Sequence, residues 1–320
     1  MSTRHLVDPS LLPLLELMPG NGFSHDNLPQ IRVDSEARFA FLGQPALAPE
    51  IKVIEGPAGP LEIYWYDPRP GAENRPALLH IHGGGMVIGS AKSMQHGPAG
   101  IAAALGIPIA SVEYRLAPEH PFPAPQEDCL AGLSWLAGNA AALGVDPKRI
   151  GIIGESAGGG LAAATALMAR DLGGPALAAQ FLVFPMLDHR TGADDCPYAN
   201  PTTGEFVWTR ESNRFGWGAL QGDYRLDDNR IGWFSPSRAE TLAGLPQTWI
   251  GTGSLDLFLD ENLDYARRLI ADGVPVELHS YPGAIHAFQV VADGHLAKAF
   301  TRDMLGAIAR WLSLDPVSLT

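Results

Sequence analysis

One serine stands among small residues in the sequence Gly-Glu-Ser-Ala-Gly-Gly-Gly, which occupies residues 154–160. A turn sharp enough to expose the hydroxyl of Ser156 strains the backbone of the serine. Gly154 and Gly158, two positions before and after it, would face each other across the turn and must therefore lack side chains. Such an exposed hydroxyl is typical of a nucleophile, whereas the alternative is a glycine-rich turn without chemistry.

The segments on either side of this turn favour the nucleophile. Ile150–Ile153 predicts a short buried parallel strand, and Leu161–Arg170 predicts an alanine-rich helix. The N-terminus of that helix would point at negative charge developing near Ser156 and stabilise it. The order of strand, tight turn and helix therefore predicts a serine nucleophile at position 156.

A serine nucleophile needs a general base, which in this arrangement comes later in the chain. His286 lies in a loop after the last predicted strand, Val276–Tyr281, and is the expected base. His279 lies within that strand and is expected to be a partly buried sheet residue. His295 lies near the start of the final predicted helix and is expected to be a surface or capping residue.

The base in turn needs a carboxylate to orient it, expected after the strand that ends near Gly251. Asp256 and Asp260 are the two candidates. Asp260 immediately precedes a helical run that begins at Glu261, so we expect it to cap that helix. Asp256 lies in the loop itself, and we favour it as the partner of His286.

Backbone N–H groups suited to stabilising an oxyanion follow another predicted strand. The run that ends at His82 continues into three glycines. Without a Cβ in the way, the N–H groups of Gly83 and Gly84, together with that of Ala157, would point at a substrate oxygen. Neither Lys-Ser nor Lys-Thr follows, which excludes a phosphate-binding P-loop. The imidazole of His82 is expected to brace the loop by hydrogen bonds.

The other apolar runs predict the elements that position these residues. Ile51–Ile54 and Leu61–Tyr66 predict a hairpin at the antiparallel edge of a sheet. Short apolar runs then alternate with helical stretches, which predicts an α/β fold with a mainly parallel sheet covered on both faces. The predicted strands are Ala77–His82, Ile107–Val112, Ile150–Ile153, Phe181–Phe184, Thr248–Gly251 and Val276–Tyr281, and the clearest predicted helices are Gly97–Leu105, Gln126–Asn139, Leu161–Arg170, Glu261–Ala271 and Ala297–Leu312.

The N-terminal segment, residues 1–45, precedes the first strand. Asp8 followed by Pro9 predicts the start of a short amphipathic helix over 9–18, with Gly20 as its stop. Residues 21–45 are expected to be partly helical at best. A segment of this kind can lie over a catalytic domain as part of a lid.

A second stretch also departs from the alternating pattern. Residues 187–238 lack a strand pattern and are rich in Trp, Phe, Arg and Asp. An excursion of this length between two core strands is expected to be a lid or substrate-binding element. We therefore predict one catalytic α/β domain, residues 46–186 and 239–320, with a cap built from 1–45 and 187–238.

Composition excludes several classes of partner. The 320 residues include 22 basic and 35 acidic side chains, and the net charge of −13 argues against binding nucleic acid or an anionic membrane. Cys129 and Cys196 form no disulfide framework and lack metal-ligand spacing. The apolar run at 11–18 is interrupted by Pro13 and Glu16, without a cleavage site after it, and no run is long enough to span a bilayer. The sequence predicts a soluble cytoplasmic protein.

Four motifs in fixed order, from about residue 78 onward, resemble those of the hormone-sensitive-lipase-like carboxylesterases, the bacterial family IV esterases. The motifs are His82–Gly85, Tyr114–Pro125, Gly154–Gly159 and Gly283–Phe288. The resemblance implies an α/β-hydrolase fold with a helical cap, and hydrolysis of short acyl esters without a metal or cofactor, often by homodimers. The second motif is expected to support the site loops.

The resemblance also implies Asp256 as the catalytic acid, because the family's acid usually opens an Asp-Pro-Leu-x-Asp-Glu run. Here Leu257 and Phe258 replace the proline and leucine of that run. Glu155 stands where many relatives carry Asp or Thr, which leaves the subfamily open.

The predicted function is carboxylester hydrolysis in an apolar pocket lined by Met86, Phe206, Trp208 and Ile285, although these side chains could instead pack the cap. The substrate would be a small-molecule ester. The same constellation also cleaves amides or lactones. A further alternative is a non-catalytic ligand-binding receptor similar to the plant gibberellin receptors, which lack the catalytic histidine, whereas His286 is in place here.

Overall fold

Eight strands form one mixed sheet in a computed structural model that describes residues 2–18, 22–40 and 43–314. The strands are β1 (Glu50–Gly56), β2 (Gly59–Tyr66), β3 (Arg75–Ile81), β4 (Ile109–Val112), β5 (Val145–Glu155), β6 (Ala179–Val183), β7 (Gln247–Gly253) and β8 (Val276–Tyr281). Their order across the sheet is β1-β2-β4-β3-β5-β6-β7-β8. The β1–β2 and β2–β4 pairs are antiparallel and the others parallel, which confirms the predicted α/β fold.

Helices pack on both faces of this sheet, and all those predicted from the apolar pattern are present. They are α1 (Leu12–Leu17), α2 (Leu28–Ala40), α3 (His96–Leu105), α4 (Ala124–Gly138), α5 (Ala157–Asp171), α6 (Arg210–Gln221), α7 (Ile231–Phe234), α8 (Leu259–Ala271) and α9 (His295–Trp311). Short 3-10 turns occur at Arg4–Leu6, Pro9–Leu11, Pro236–Arg238 and Phe288–Val290. The 187–238 insertion contains α6 and α7, which the sequence pattern did not resolve.

The sheet divides the hydrophobic core into two clusters. Leu79 and Ile152 belong to the cluster that includes residues of α4, α5 and α8. Leu78 and Ile153, their neighbours in β3 and β5, belong to the cluster that includes residues of α3 and α9. Because successive side chains in a strand point to opposite faces, fully apolar strands bury both sides of the sheet.

The N-terminal helix begins as predicted but with a tighter first turn. The side chain of Asp8 accepts a hydrogen bond from the N–H of Ser10 at 2.9 Å, and the Pro9–Leu11 turn then leads into α1. The predicted stop at Gly20 lies outside the described residues. Helix α2 accounts for the partly helical character expected of residues 21–45.

The described residues offer neither a membrane-spanning helix nor a cluster of metal-binding side chains. Within the ranges given above, no helix is both long and apolar enough to cross a bilayer. Over the same ranges, His, Cys, Asp and Glu side chains do not gather in threes as a metal site would require. Cys129 is buried, Cys196 is half-buried, and both are free thiols.

The parallel strands end at one edge of the sheet, and this edge carries the predicted functional residues. The loop after β3 contains the glycines 83–85, and Ser156 directly follows β5. Asp256 follows β7, and His286 follows β8. Residues far apart in the chain therefore meet above the carboxyl ends of the strands, where open α/β sheets bind ligands.

The turn after β5 packs directly on the end of β3. A Cβ on Gly154 would overlap the carbonyl of Gly158, as the geometry of the turn requires. A Cβ on Gly158 would instead overlap the carbonyl oxygens of Ile81 and His82. The absence of a side chain at position 158 therefore allows the first turn of α5 to pack against the end of β3, and does not serve only the turn itself.

We expect Gly158→Ala to lower the free energy of unfolding by roughly 1–3 kcal/mol, because the added methyl group meets backbone atoms that cannot rotate away. Thermal unfolding followed by circular dichroism measures the change. Gly100→Ala in α3 is the matched control, since a Cβ there meets no heavy atom within 4 Å. The better helix propensity of alanine should stabilise that variant by up to about 1 kcal/mol. A Gly158→Ala protein that unfolds at the wild-type temperature would contradict this interpretation.

Candidate active site

Ser156 occupies the turn between β5 and α5 with φ 56° and ψ −120°. A residue with a side chain seldom adopts a positive φ, so the turn is strained. The N–H of Ser156 donates to the carbonyl of Val183 at 2.9 Å, and its carbonyl accepts from the N–H groups of Gly160 and Met186, both at 3.0 Å. These bonds fix the strained backbone from the adjacent strand and from the following helix.

The structure brings Ser156, His286 and Asp256 together in one line of hydrogen bonds. Nε2 of His286 lies 3.0 Å from Oγ of Ser156, and Nδ1 lies 2.8 Å from Oδ2 of Asp256. All three residues are buried. Because a carboxylate only accepts hydrogen bonds, Nδ1 carries the proton and Nε2 offers its lone pair to the hydroxyl. This arrangement can remove a proton from the hydroxyl.

Two phenylalanine rings flank the imidazole of His286. The ring centroids of Phe184 and Phe258 lie 4.8 Å and 5.2 Å from it, both at steep angles. The N–H of Phe258 also donates to Oδ1 of Asp256 at 2.9 Å. The rings limit rotation of the imidazole and keep water away from its bond to the carboxylate, which strengthens that bond. Neither ring was assigned a role from the sequence, because no motif marks them.

The prediction that Asp260 caps a helix is wrong. Helix α8 begins at Leu259, with Phe258 at the cap position, and Asp260 lies within the first turn. A carboxylate there is stabilised by the helix dipole, which explains an acidic residue without a capping role. Asp260 lines a surface groove with Tyr198, and of the two candidates it is Asp256 that contacts the imidazole.

The two other histidines considered lie away from this line of hydrogen bonds. His279 is half-buried in β8 and pairs with Glu277 at 2.9 Å. His295 is exposed at the start of α9, with Nε2 3.3 Å from Oδ2 of Asp8. Both positions agree with the structural roles expected from the sequence.

The glycine loop after β3 passes against the serine turn. A Cβ on Gly83 would lie 2.9 Å from the carbonyl oxygen of Glu155 and 3.5 Å from the Cβ of Ser156. Gly84 has φ 114°, which only glycine adopts readily. Among the described residues, the N–H groups of Gly83 and Gly84 donate no hydrogen bond. The N–H of Ala157 opens α5 and has no partner within the helix. All three are therefore free to bind an anion.

His82 braces this loop, as predicted. Its Nδ1 lies 2.8 Å from the carbonyl oxygen of Gly83, and its ring stacks on Tyr114 at 4.1 Å. The hydroxyl of Tyr114 donates to the carbonyl of His82 at 2.9 Å. Complete burial lowers the pKa of His82 to about 3, so the imidazole is neutral at working pH and serves as a hydrogen-bond donor.

The four side chains predicted to line a pocket lie in two groups. Met86 and Trp208 belong to one hydrophobic cluster, and the indole of Trp208 lies directly against Gly85. Ile285 is fully buried in the other cluster, and Phe206 packs against that cluster. Trp208 is therefore next to the glycine loop, while Ile285 directly precedes His286 in the chain.

Glu155, the residue that precedes Ser156, is anchored by a buried histidine. Nε2 of His80, in β3, lies 3.1 Å from Oε2 of Glu155, and its Nδ1 lies 2.7 Å from the hydroxyl of Ser111 in β4. This network joins three neighbouring strands beneath the serine turn. The sequence offered no signal for it, because His80 is an isolated polar residue in the apolar part of β3.

Comparison with known proteins identifies close similarity to esterases. A model of the α/β-hydrolase fold family matches residues 78–290. The chain is 34% identical to the esterase LipI of Mycobacterium tuberculosis over 291 residues, which cover 88% of each protein. It is 35% identical to the carboxylesterase NlhH of the same organism, again over 88% of each.

Solved structures of esterases are also similar to this chain. A bacterial heroin esterase is 36% identical and superposes with a TM-score of 0.88 over 97% of this chain and 99% of that one. The esterase LipW of Mycobacterium marinum is 30% identical, with a TM-score of 0.84 over 96% of both chains.

One half-buried carboxyl group, next to the segment that follows the glycine loop, has an altered affinity for protons. Oε2 of Glu113, just after β4, accepts a hydrogen bond from the N–H of Ala91 at 2.8 Å, in the segment that follows the glycine loop. Burial raises the pKa of Glu113 to about 7, and the carboxylates of Glu62 and Glu36 contribute to the rise.

We expect Glu113→Gln to stabilise the protein relative to wild type increasingly as the pH rises from 4.5 to about 7, and not below that window. Between the ordinary pKa of 4.5 and the folded value of about 7, the folded state holds a proton that the unfolded state has lost. Raising the pH through this window therefore lowers the free energy of unfolding by up to about 1.4 kcal/mol per pH unit. Gln cannot ionise and avoids this loss.

Urea unfolding at pH 5 and pH 8 measures the difference, and the exposed Glu240→Gln corrects for the general loss of one charge. A stability gain of the same size at both pH values would refute the assignment.

Proposed function

The chain belongs to the α/β-hydrolase fold family, as a carboxylic ester hydrolase of the hormone-sensitive-lipase-like group, and we propose that it cleaves short-chain acyl esters with Ser156, His286 and Asp256. The observation that carries this proposal is the unbroken line of hydrogen bonds from hydroxyl to imidazole to carboxylate, at 3.0 Å and 2.8 Å. The free N–H groups of the neighbouring glycine loop support it.

In the first half of the reaction, Oγ of Ser156 attacks the ester carbonyl while Nε2 of His286 takes its proton. The carbonyl oxygen becomes an oxyanion, which the N–H groups of Gly83, Gly84 and Ala157 bind. Collapse of the tetrahedral intermediate breaks the bond to the alcohol. His286 returns the proton to the leaving oxygen, and an acyl-serine remains.

In the second half, a water molecule attacks the acyl-serine, and His286 takes the proton of that water. The same N–H groups bind the second oxyanion. Collapse releases the carboxylic acid, and the proton passes from His286 back to Ser156. Throughout, Asp256 keeps the proton of the neutral imidazole on Nδ1 and stabilises the imidazolium that forms in each half.

The proposed cap consists of residues 1–45 and 187–238, over a catalytic domain of residues 46–186 and 239–320. Contacts between the two cap segments support this division. Phe23 packs against Trp208 and Phe215, with ring centroids 5.5 Å and 5.7 Å apart. The hydroxyl of Thr3 donates to Glu205 at 2.6 Å. The described parts of the two segments therefore pack against each other, and Trp208 brings them next to the glycine loop.

The proposed preference for short acyl chains rests on Trp208. Its indole lies against Gly85, beside the proposed oxyanion site, and is held there by a 3.0 Å hydrogen bond from Nε1 to Asn213. A large, fixed ring in this position limits the space for an acyl chain. Met86, Phe206 and Ile285 are proposed to complete an apolar lining.

A chain-length series of p-nitrophenyl esters tests the function. We expect kcat/KM to peak at short acyl chains and Ser156→Ala to lose at least about 1000-fold. Asp256→Asn should lose on the order of 100-fold or more, because an amide cannot stabilise the imidazolium.

Asp260→Asn is the matched control and should stay within about threefold of wild type, since Asp260 does not contact His286. Retained activity in Ser156→Ala, or a peak at long chains, would count against the proposal.

Trp208→Ala should shift the preferred acyl chain to greater length, because removing the indole opens space beside Gly85. The measurement is the ratio of kcat/KM for octanoate and acetate esters. Trp233→Ala is the control, since this tryptophan lies in α7 of the same insertion and donates to Asp171. An unchanged ratio in Trp208→Ala would show that the ring serves only to pack the cap.

A further inference from the structure

One arginine of the N-terminal helix reaches the back of the glycine loop. Nε of Arg32, in α2, donates to the carbonyl of Val87 at 2.8 Å, and Nη2 donates to the carbonyl of Ala117 at 2.9 Å. The side chain is about three-quarters buried, with 27% exposed. A charged group that bonds two backbone carbonyls in this setting constrains both segments, because an unpaired donor there would be costly.

A carboxylate fixes the orientation of the same guanidinium. Nη1 and Nη2 of Arg32 donate to the two oxygens of Glu119 at 2.7 Å and 2.8 Å. Such a paired contact sets the plane of the guanidinium as well as its position. The hydrogen bonds from Arg32 lower the pKa of Glu119 to about 2, so the pair stays charged at working pH.

The carbonyls of Val87 and Ala117 belong to a closed circuit of contacts, in which Arg32, the glycine loop and the Tyr114–Pro125 segment each bind the other two. The N–H of Ala117 donates to the carbonyl of Met86 at 3.0 Å, while the carbonyl of Ala117 accepts from Arg32. Arg32 in turn binds the carbonyl of Val87, the neighbour of Met86. Two successive peptide units of the loop are therefore held from outside, one by the Tyr114–Pro125 segment and one by the cap.

This circuit adjoins the proposed oxyanion donors. The N–H groups of Val87 and Ile88 donate to the carbonyl of Gly84 at 3.1 Å and 3.0 Å. Gly84, Gly85 and Met86 have φ of 114°, 60° and 65°, so three consecutive residues have a positive φ. Backbone of this kind persists only where the surrounding structure determines it strongly. A shift at Val87 would therefore pass directly to Gly84.

We propose that Arg32 is a positioning residue for the reaction, which keeps the N–H groups of Gly83 and Gly84 aimed at the oxyanion. This inference rests on the proposed function of those N–H groups. Arg32 acts through the loop and touches no reacting atom. Its effect should fall on the transition state, where the negative oxygen forms, and much less on the binding of the neutral ester.

The test compares Arg32→Ala and Arg32→Lys with Arg170→Ala. Arg170 is the matched control, because it is 24% exposed and donates to the carbonyls of Thr241 and Ala243 at 3.0 Å and 2.9 Å. Each variant is assayed with p-nitrophenyl acetate for kcat and KM and with an aryl trifluoromethyl ketone for Ki. Oγ of Ser156 is expected to add to the carbonyl of this ketone. The hemiketal that results carries an oxyanion that mimics the transition state.

We expect Arg32→Ala to lower kcat by about 10- to 100-fold while KM changes by less than about threefold. Ki for the ketone should rise by the same factor as kcat/KM falls. Added guanidinium chloride at low concentration should restore part of kcat in Arg32→Ala, by refilling the site beside Glu119. Arg32→Lys should remain impaired, since an ammonium cannot reproduce the planar fork. Arg170→Ala should match wild type in all three measurements.

Folding is checked by near-ultraviolet circular dichroism and thermal unfolding. A folded Arg32→Ala protein with wild-type kcat, or one whose kcat and ketone Ki do not change together, would overturn the role of Arg32 and leave the proposed function standing. Ester hydrolysis that persists in the Ser156→Ala variant would overturn the proposed function itself. The two failures are therefore distinguishable.

Discussion

The chain reversal at Ser156 is the constraint on which the rest of the site depends. A left-handed serine between a strand and a helix is unfavourable on its own, so its surroundings must leave no alternative. Hydrogen bonds to Val183, Gly160 and Met186 supply that restraint. The carbonyls of Ile81 and His82 close in from β3 until no Cβ fits at position 158. Contacts from β3 and β6 thus hold the turn that follows β5 in place.

Once this reversal is set, the parallel sheet places the other groups. The loops after β3, β7 and β8 leave the same edge as Ser156, and they carry the glycines, Asp256 and His286. The Tyr114–Pro125 segment contributes no reacting group, yet it holds the glycine loop at several points. Tyr114 binds the carbonyl of His82, and Ala117 binds that of Met86. The geometry of the glycine loop thus depends on residues that have no proposed part in the chemistry.

Local patterns in the sequence were enough to predict the fold and most of the groups at the site. Apolar runs identify each strand of the sheet, and the glycines around Ser156 mark a turn with a steric requirement that few other residues meet. Contacts between distant parts of the chain could not be predicted from such local patterns. The phenylalanines that pack against His286, and the hydrogen bond from Arg32 to Val87, involve chain segments without a distinguishing pattern. Asp260 does not cap a helix, because α8 begins one residue before it, at Leu259.

The central claim is that the hydroxyl of Ser156 is the nucleophile. Reaction with diethyl p-nitrophenyl phosphate, followed by intact-protein mass spectrometry and peptide mapping, tests it most directly, because only an activated serine attacks the phosphorus at a useful rate. We expect a single diethylphosphoryl group per chain, carried by Ser156, with ester hydrolysis lost in proportion to labelling. A label on another residue, or full activity in protein labelled at Ser156, would contradict it.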